Sequence, residues 1–327
     1  AVSKAVTLSG VSAASVIILG PTTGADATLT ISSTGVVVED VSVTRDGNTV
    51  ADWATNVKEH GLLLSVNGSV LRRVRAYGNI NGVTLPSVRT TTIEQCSIEG
   101  NLVGVRLSGN TTGTIIRNST ISGNAIFGVD FATDSPGDTT SSISIQENAF
   151  SGNWYGDVAA RWTSQAVLDV SRNAFAAAEP SFSVSVTVPN AETHIPTWYG
   201  GTAVTPNTDE FTIVGARSSN VDVSPFVDGV TDASPAAGFQ PSTSSVLVHN
   251  SGAQSGSVAR IREGIQFATA GATVRVLPGT YVGNVSIDKS VTLLSRDGRA
   301  TTTIQGNSAQ TGNGTILVMP GINNVRI

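Results

Sequence analysis

The loop ATDSPGDTT at 132–140 sets Asp134 and Asp138 four residues apart among Ser and Thr oxygens. Hard oxygen donors of that kind could hold Ca²⁺, although a calcium loop presents more ligands at tighter spacing and a polar turn uses the same residues. Glu94 and Glu99, five residues apart in TIEQCSIEG, are the second pair of carboxylates that could share acid and base work; flanking charges that solvate the outside of a strand look identical in sequence. Arg72, Arg73 and Arg75, followed by Arg89, make a short basic stripe, suited either to an acidic glycan or to a solvated strand edge. Cys96 has no His or basic residue beside it and reads as a small packed side chain rather than a nucleophile. Trp154-Tyr155, Trp162 and Trp198-Tyr199 supply rings that could stack on sugars or pack a cover onto a core. Asp130, Glu147, Asp157 and Asp169 are single outward acids of the same repeat region.

Composition narrows the chemistry. A net charge of −5 with no basic block argues against capture of nucleic acid or insertion into an anionic membrane. One cysteine excludes an intramolecular disulfide and a cysteine zinc cluster, and His60, His194 and His249 are scattered. No span reaches the ~18 apolar residues of a membrane helix. The chain begins at Ala1 without a signal peptide, so it reads as a processed product or an excerpt of something longer. With 13% charged residues, 34 Gly and one Met, and with Val, Thr, Ser and Asn abundant, the chain favours strands and turns over helices. The expected class is all-β.

What positions these residues is a repeat. Gly-Asn recurs at 78–79, 100–101, 123–124 and 152–153, each time followed by a segment such as INGVTL, LVGVRL or IFGVDF and preceded by an alternating strand. A unit of two or three short strands cannot bury a core alone, but coil stacked on coil about 4.8 Å apart can. The inward ladders expected are Val83, Val105 and Val129; Leu85, Leu107 and Phe131; and Ala76, Ile98, Ile121 and Phe150. From Gly61 to Phe175 this GN-x-x-GV-x-(L/F) beat resembles the right-handed parallel β-helix of the pectate-lyase-like superfamily, in particular its parallel β-helix repeat branch in bacterial secreted and surface proteins. The Asp clusters, Gly-His-Gly and Arg-x-Lys signatures of that superfamily's enzymes are missing from the sequence.

From Ser257 the pattern turns helical: Val258, Ile261, Ile265 and Ala268 share one face, with Ser257 as N-cap and Gly271 as stop, so a short amphipathic capping helix is expected near 257–270. IDKSVTL at 287–293 then repeats VSKAVTL at 2–8, with Lys4, Val6, Thr7 and Leu8 matched by Lys289, Val291, Thr292 and Leu293 at an offset of 285. The TWYGG segment and NVDVSPF at 220–226 resemble the C-terminal cover of such domains. The organisation expected is therefore a β-helix body lacking its first coils (1–190), a cover and linker (191–250), and the capping helix and first coils of the next copy (251–327).

The function expected is structural or adhesive: one repeat unit of an extracellular or cell-surface β-helical array or head-to-tail filament, with Ile261, Ile265, Val291, Leu293, Val6 and Leu8 as its assembly residues. No catalytic residue and no cofactor is called for, and Asp134 and Asp138 are the metal candidates. Self-association head to tail, and contact with polysaccharide, are the partnerships implied; nucleic acid is not. The competing readings are a carbohydrate-active enzyme or polysaccharide-binding module, and a phage tail fibre or spike.

Overall fold

The computed structural model describes residues 1–20, 27–45, 60–132, 142–177, 179–184, 211–307 and 314–327. Asp134, Asp138, His194, Trp198 and Tyr199 lie outside the described residues. Each coil of the first column contributes one short strand to each of three parallel faces. Face I runs from Thr7–Ser9 through Thr92–Glu94 to Val221–Asp222. Face II runs from Ile17–Gly20 through Ser97–Glu99 to Phe226–Asp228, and face III from Ala27–Ile31 through Val103–Ser108 to Ile213–Val214 and Phe182–Ser183. The strands are mostly two to six residues long, because a turn must follow within a few residues.

Two kinds of corner make those turns. Between faces I and II a single residue adopts positive φ in six successive coils: Asp40, Arg73, Gln95, Asn118, Glu147 and Arg172, at 49° to 62°. Between faces II and III the left-handed residue is glycine, Gly78, Gly100, Gly123 and Gly152 at 60° to 67°, where a Cβ would be strained. The Asn after each of these glycines is fully buried and bonds up the column. The Asn79 amide N–H and Nδ2 both donate to Asn101 Oδ1 at 3.1 Å. Asn101 repeats this with Asn124 (3.1 and 3.2 Å), and Asn124 with Asn153 (3.3 and 2.8 Å). A second ladder climbs the other corner: Cys96 N donates to Ser119 Oγ (3.0 Å), Ser119 N to Asn148 Oδ1 (3.1 Å) and Asn148 N to Asn173 Oδ1 (2.8 Å). These side chains satisfy corner amides that the strand ladders cannot reach.

Inside, period 2 buries alternate residues. Val83, Val105 and Val129 are successive register partners, as are Leu85, Leu107 and Phe131, and Ala76, Ile98, Ile121 and Phe150, all essentially without solvent exposure. Toward the C-terminal end of the column the core turns aromatic: Phe150 stacks on Phe175 at 5.5 Å, and Trp162 meets Phe131 edge-on at 5.4 Å.

Face II does not stop at Phe226–Asp228. Ser245–Val248 pairs with it antiparallel, Phe226 opposite Leu247 and Val227 opposite Val246, and then continues in parallel to Thr273–Val276 and Thr292–Ser295. Phe226 and Leu247 pack into the core of the first column. Val246 and Val248, on the other side of the same sheet, pack with Ile261, Ile265, Val274, Ile287, Val291 and Leu293 in a second core. A strand within the 191–250 stretch thus contributes to the column that follows it.

Helix α1, Arg260–Phe267, covers that second core with Ile261 and Ile265. Its N-cap is Ala259 and not Ser257, and no side chain caps it. Val258 O is taken instead by the Gln254 side chain, and Arg260 turns into a buried ion pair with Asp222. Gly264 lets the helix approach closely, since a Cβ there would run into Val248. At its C-terminus Lys289 Nζ donates to Gln266 O (3.1 Å) and Ala268 O (3.0 Å), a favourable placement of a cation on the last carbonyls.

Candidate functional site: a polar cleft beside the junction

A cleft of about 630 Å³ opens where the last coils of face I meet helix α1. Its floor is the outer side of Ser144–Gln146, Leu168–Asp169 and Val221–Asp222; its wall is the 254–256 segment and Glu263. Gln146 Nε2 donates to Asp169 Oδ2 (2.6 Å) and to Ser171 Oγ (3.3 Å), while Ser171 N donates to Asp169 Oδ1 (3.0 Å). Gln254 Nε2 donates to Glu263 Oε1 (2.9 Å), and Glu263 Oε2 is buried with no hydrogen-bond partner among the described residues. Burial pushes the Glu263 carboxyl above its ordinary range; the Gln254 hydrogen bond and the Arg260 cation oppose that, and the Asp222 and Asp169 charges reinforce it. Glu263 and Asp169 thus line one concave site, with burial favouring the neutral form of Glu263 relative to an exposed carboxyl.

Asp222 is not free to act there. Its carboxylate accepts from Arg260, from Ser255 N (2.7 Å) and Oγ (2.9 Å), and from Ser224 N (3.2 Å). Arg260 also donates to Gly252 O and Ala253 O. The group fastens the first column to the helix of the second.

Behind it lies His249, 4% exposed. Its Nδ1 accepts from Ser251 N (3.0 Å), and its ring packs against Phe226 (5.9 Å) and Phe182 (6.0 Å). Burial pushes its pKa down to about 4, helped by the Arg260 cation and opposed by Asp222. The folded protein thus refuses a proton that the unfolded chain accepts below about pH 6.5. The resulting stability is intact above pH 6.5, declines as pH falls through the window, and is gone below about pH 4. Denaturant titrations at pH 7.5 and pH 4 will differ by about 3 kcal/mol from this residue, and His249→Phe will remove that share of the pH dependence.

The carboxylates and cations singled out in the sequence go elsewhere. Glu94 lies on face I between Arg72 (2.7 Å) and Arg117 (2.6 Å); burial would raise its pKa, but those two guanidinium groups hold it below the usual carboxylate range. Glu99 lies on face II and pairs with Arg75 (2.5 Å), so the two glutamates do not converge. Arg73 pairs with Asp40 (2.6 Å) and Glu39 (3.3 Å), and Arg72 with Glu39 as well (3.5 Å), which neutralises the Arg72, Arg73 and Arg75 part of the basic stripe and leaves Arg89 exposed. Asp130 pairs with Arg161, and Asp157 accepts from Asn153 at the end of the asparagine ladder (2.8 Å). Glu147 accepts from Asn118 (3.4 Å). Trp154 and Tyr155 are buried in a side cluster with Phe127 and Phe211, not displayed as a platform. Among the described residues no group of three or more His, Cys, Asp or Glu is arranged to hold a metal ion.

Cys96 is buried in the second corner ladder, its Sγ 3.3 Å from Glu94 O, and burial pushes its pKa up to about 12. A thiol reagent will leave the native protein unlabelled at pH 8 and label it stoichiometrically in denaturant, a difference read by mass spectrometry.

Sequence reasoning named Asp169 but missed its partner Gln146 and the Gln254–Glu263 pair that lines the same cleft. The cleft gathers segments around 144–172, 221–225 and 254–263 that no local spacing connects. The polar position of Glu263 on the helix, opposite Ile261 and Ile265, was the one available signal.

With three parallel faces, short strands and ladder-bonded corners in place, the class of protein is a right-handed parallel β-helix. Residues 18–175 match the family described as the right handed beta helix region. Among solved structures, pectate lyase Pel9A is similar over 92% of this chain and 70% of its own, at 11% identity and a TM-score of 0.38. No curated protein is significantly similar in sequence. Among the described residues no helix is long and apolar enough to cross a membrane.

Proposed function

We propose that the chain is a segment of an extracellular or cell-surface β-helical array with a structural or adhesive role. The observation that carries the reading is a repeat of structure as well as of sequence. Thr7–Ser9 and Ile17–Gly20 in the first column begin 285 residues before Thr292–Ser295 and Thr302–Gln305 in the second. The bridge from Val2 to Ile31 likewise corresponds to the pairing of Ile287 with Val318. Successive columns are joined by a shared sheet and a buried ion pair, as a load-transmitting structure requires. The test is to link one, two and three periods of residues 1–285 and measure particle length by electron microscopy. Length rising by a constant rigid increment per period supports the array, and compact beads on flexible tethers overturn it.

The Glu263–Asp169 cleft favours a second reading, a polysaccharide-binding or carbohydrate-active site. Binding and chain-cleavage assays on acidic and neutral polysaccharides decide it: a signal lost in Glu263→Gln and Asp169→Asn supports the site, and no signal with any polymer removes it.

A further inference from the structure

The cleft between face I and helix α1 spends its own hydrogen-bond donors and leaves acceptors over. Gln146 Nε2 gives its hydrogens to Asp169 and Ser171, and Gln254 Nε2 gives its own to Val258 O and Glu263. A carboxylate only accepts, so each amide must turn its nitrogen to the acid and its oxygen away. Among the described residues no donor reaches Gln146 Oε1 or Gln254 Oε1, and Glu263 Oε2 is buried without a partner. Each Asp169 oxygen accepts a single hydrogen bond, from Gln146 or from Ser171 N, which leaves it room for another. The cations do not correct this imbalance. Arg260 is consumed by Asp222, and Arg172, the one cation among the lining residues, is exposed and lies over the Phe267 ring at 5.8 Å. At about 630 Å³ the cleft has the size of a small-ligand site.

We propose that the cleft binds a hydroxylated ligand bearing a primary ammonium, namely a free-amine hexosamine unit of a polysaccharide. The inference rests on the carbohydrate reading of the cleft and names the sugar. An ammonium carries three donors and no acceptor, the complement of a site whose unused groups are two carboxylates and two amide oxygens. Set between Glu263 and Asp169 it supplies the donor that Glu263 Oε2 lacks and the positive charge that the lining does not provide. The neighbouring sugar hydroxyls donate to Gln146 Oε1 and Gln254 Oε1. A uronate would bring a carboxylate, which only accepts, against two acids; an N-acetylated unit would bring a neutral amide with one donor. A lysine side chain has the ammonium but no hydroxyl for the amide oxygens.

The test is isothermal titration calorimetry of the full chain at pH 6.5 with tetramers of glucosamine, N-acetylglucosamine and galacturonate, and with tetralysine. The glucosamine tetramer binds at least about tenfold more tightly than each of the other three. Glu263→Gln and Asp169→Asn each weaken it at least about tenfold, because each removes a charged acceptor. Glu99→Gln, which removes the same charge from face II, leaves it unchanged; an equal loss there would mean general attraction to an acidic chain and would overturn the proposal. Should a cleft variant fold poorly, the side-chain amide resonances of Gln146 and Gln254 in the unaltered protein report occupancy. Both shift with the glucosamine tetramer, and their indifference to it overturns the proposal. Uronate or N-acetylated tetramers bound as tightly overturn the ammonium assignment and leave the carbohydrate reading standing. Tetralysine bound as tightly overturns it as a sugar site, and no binding by any of the four removes both readings.

Discussion

Replacing Asn124 by alanine will destabilise the first column by about 3–5 kcal/mol, because it orphans several buried groups at once. The Asn101 amide N–H and Nδ2 both lose the acceptor Asn124 Oδ1, and Ile98 O and Asn153 Oδ1 both lose the donor Asn124 Nδ2. Asn124 is fully buried, so no water replaces those bonds without opening the corner. The midpoint of guanidinium unfolding measures the loss. Ser122→Ala, on the partly exposed side of the neighbouring strand, is the control and will change stability by no more than about 0.5 kcal/mol. A loss for Asn124→Ala no larger than the control's would mean that the ladder is decoration on a column held by its apolar interior alone.

The second large effect is at the junction. Asp222→Ala leaves Arg260, itself 8% exposed, as an uncompensated buried cation and removes the acceptor of Ser255, a cost of about 3–5 kcal/mol. The cost falls on the contact between columns, so residues 245–327 will unfold in a separate, earlier transition, seen by calorimetry and by early proteolysis within that stretch. The double variant Asp222→Asn, Arg260→Met will recover much of the loss, since it leaves no unpaired charge behind. Because the pair is buried, 0.3 M salt will not mimic the mutation. A single cooperative transition in Asp222→Ala, at the parent temperature, would contradict the assignment.

The column was readable because two signals agree along it: Gly-Asn marks a corner that needs a left-handed residue, and alternation marks the buried side of each strand. The second corner carried no such mark. Its left-handed positions are held by Asp40, Arg73, Gln95, Asn118, Glu147 and Arg172, polar residues of no common type, so their stacking is invisible without the coil length. Charge pairing escaped for a related reason. Glu94 finds Arg72 and Arg117 only because strands some 22 residues apart lie side by side, whereas proximity in sequence suggested Glu99. The helix start was misjudged at Ser257 because the capping rule weighs local polarity, and the pull of Asp222 on Arg260 comes from another column. Glu263 and Asp169 come to line one cleft on the same terms.

The antiparallel pair that joins the columns has a consequence for shape. Since Phe226 and Leu247 look into one interior while Val227 and Val246 look away from it, the shared sheet is a party wall, with one column built against each side. The second interior is therefore not a straight continuation of the first: the core changes side of the sheet at Ser245–Val248. In the array proposed above, each unit is set sideways from the last, like the treads of a staircase. The recess left in the inner corner where the core changes side is the cleft lined by Glu263 and Asp169.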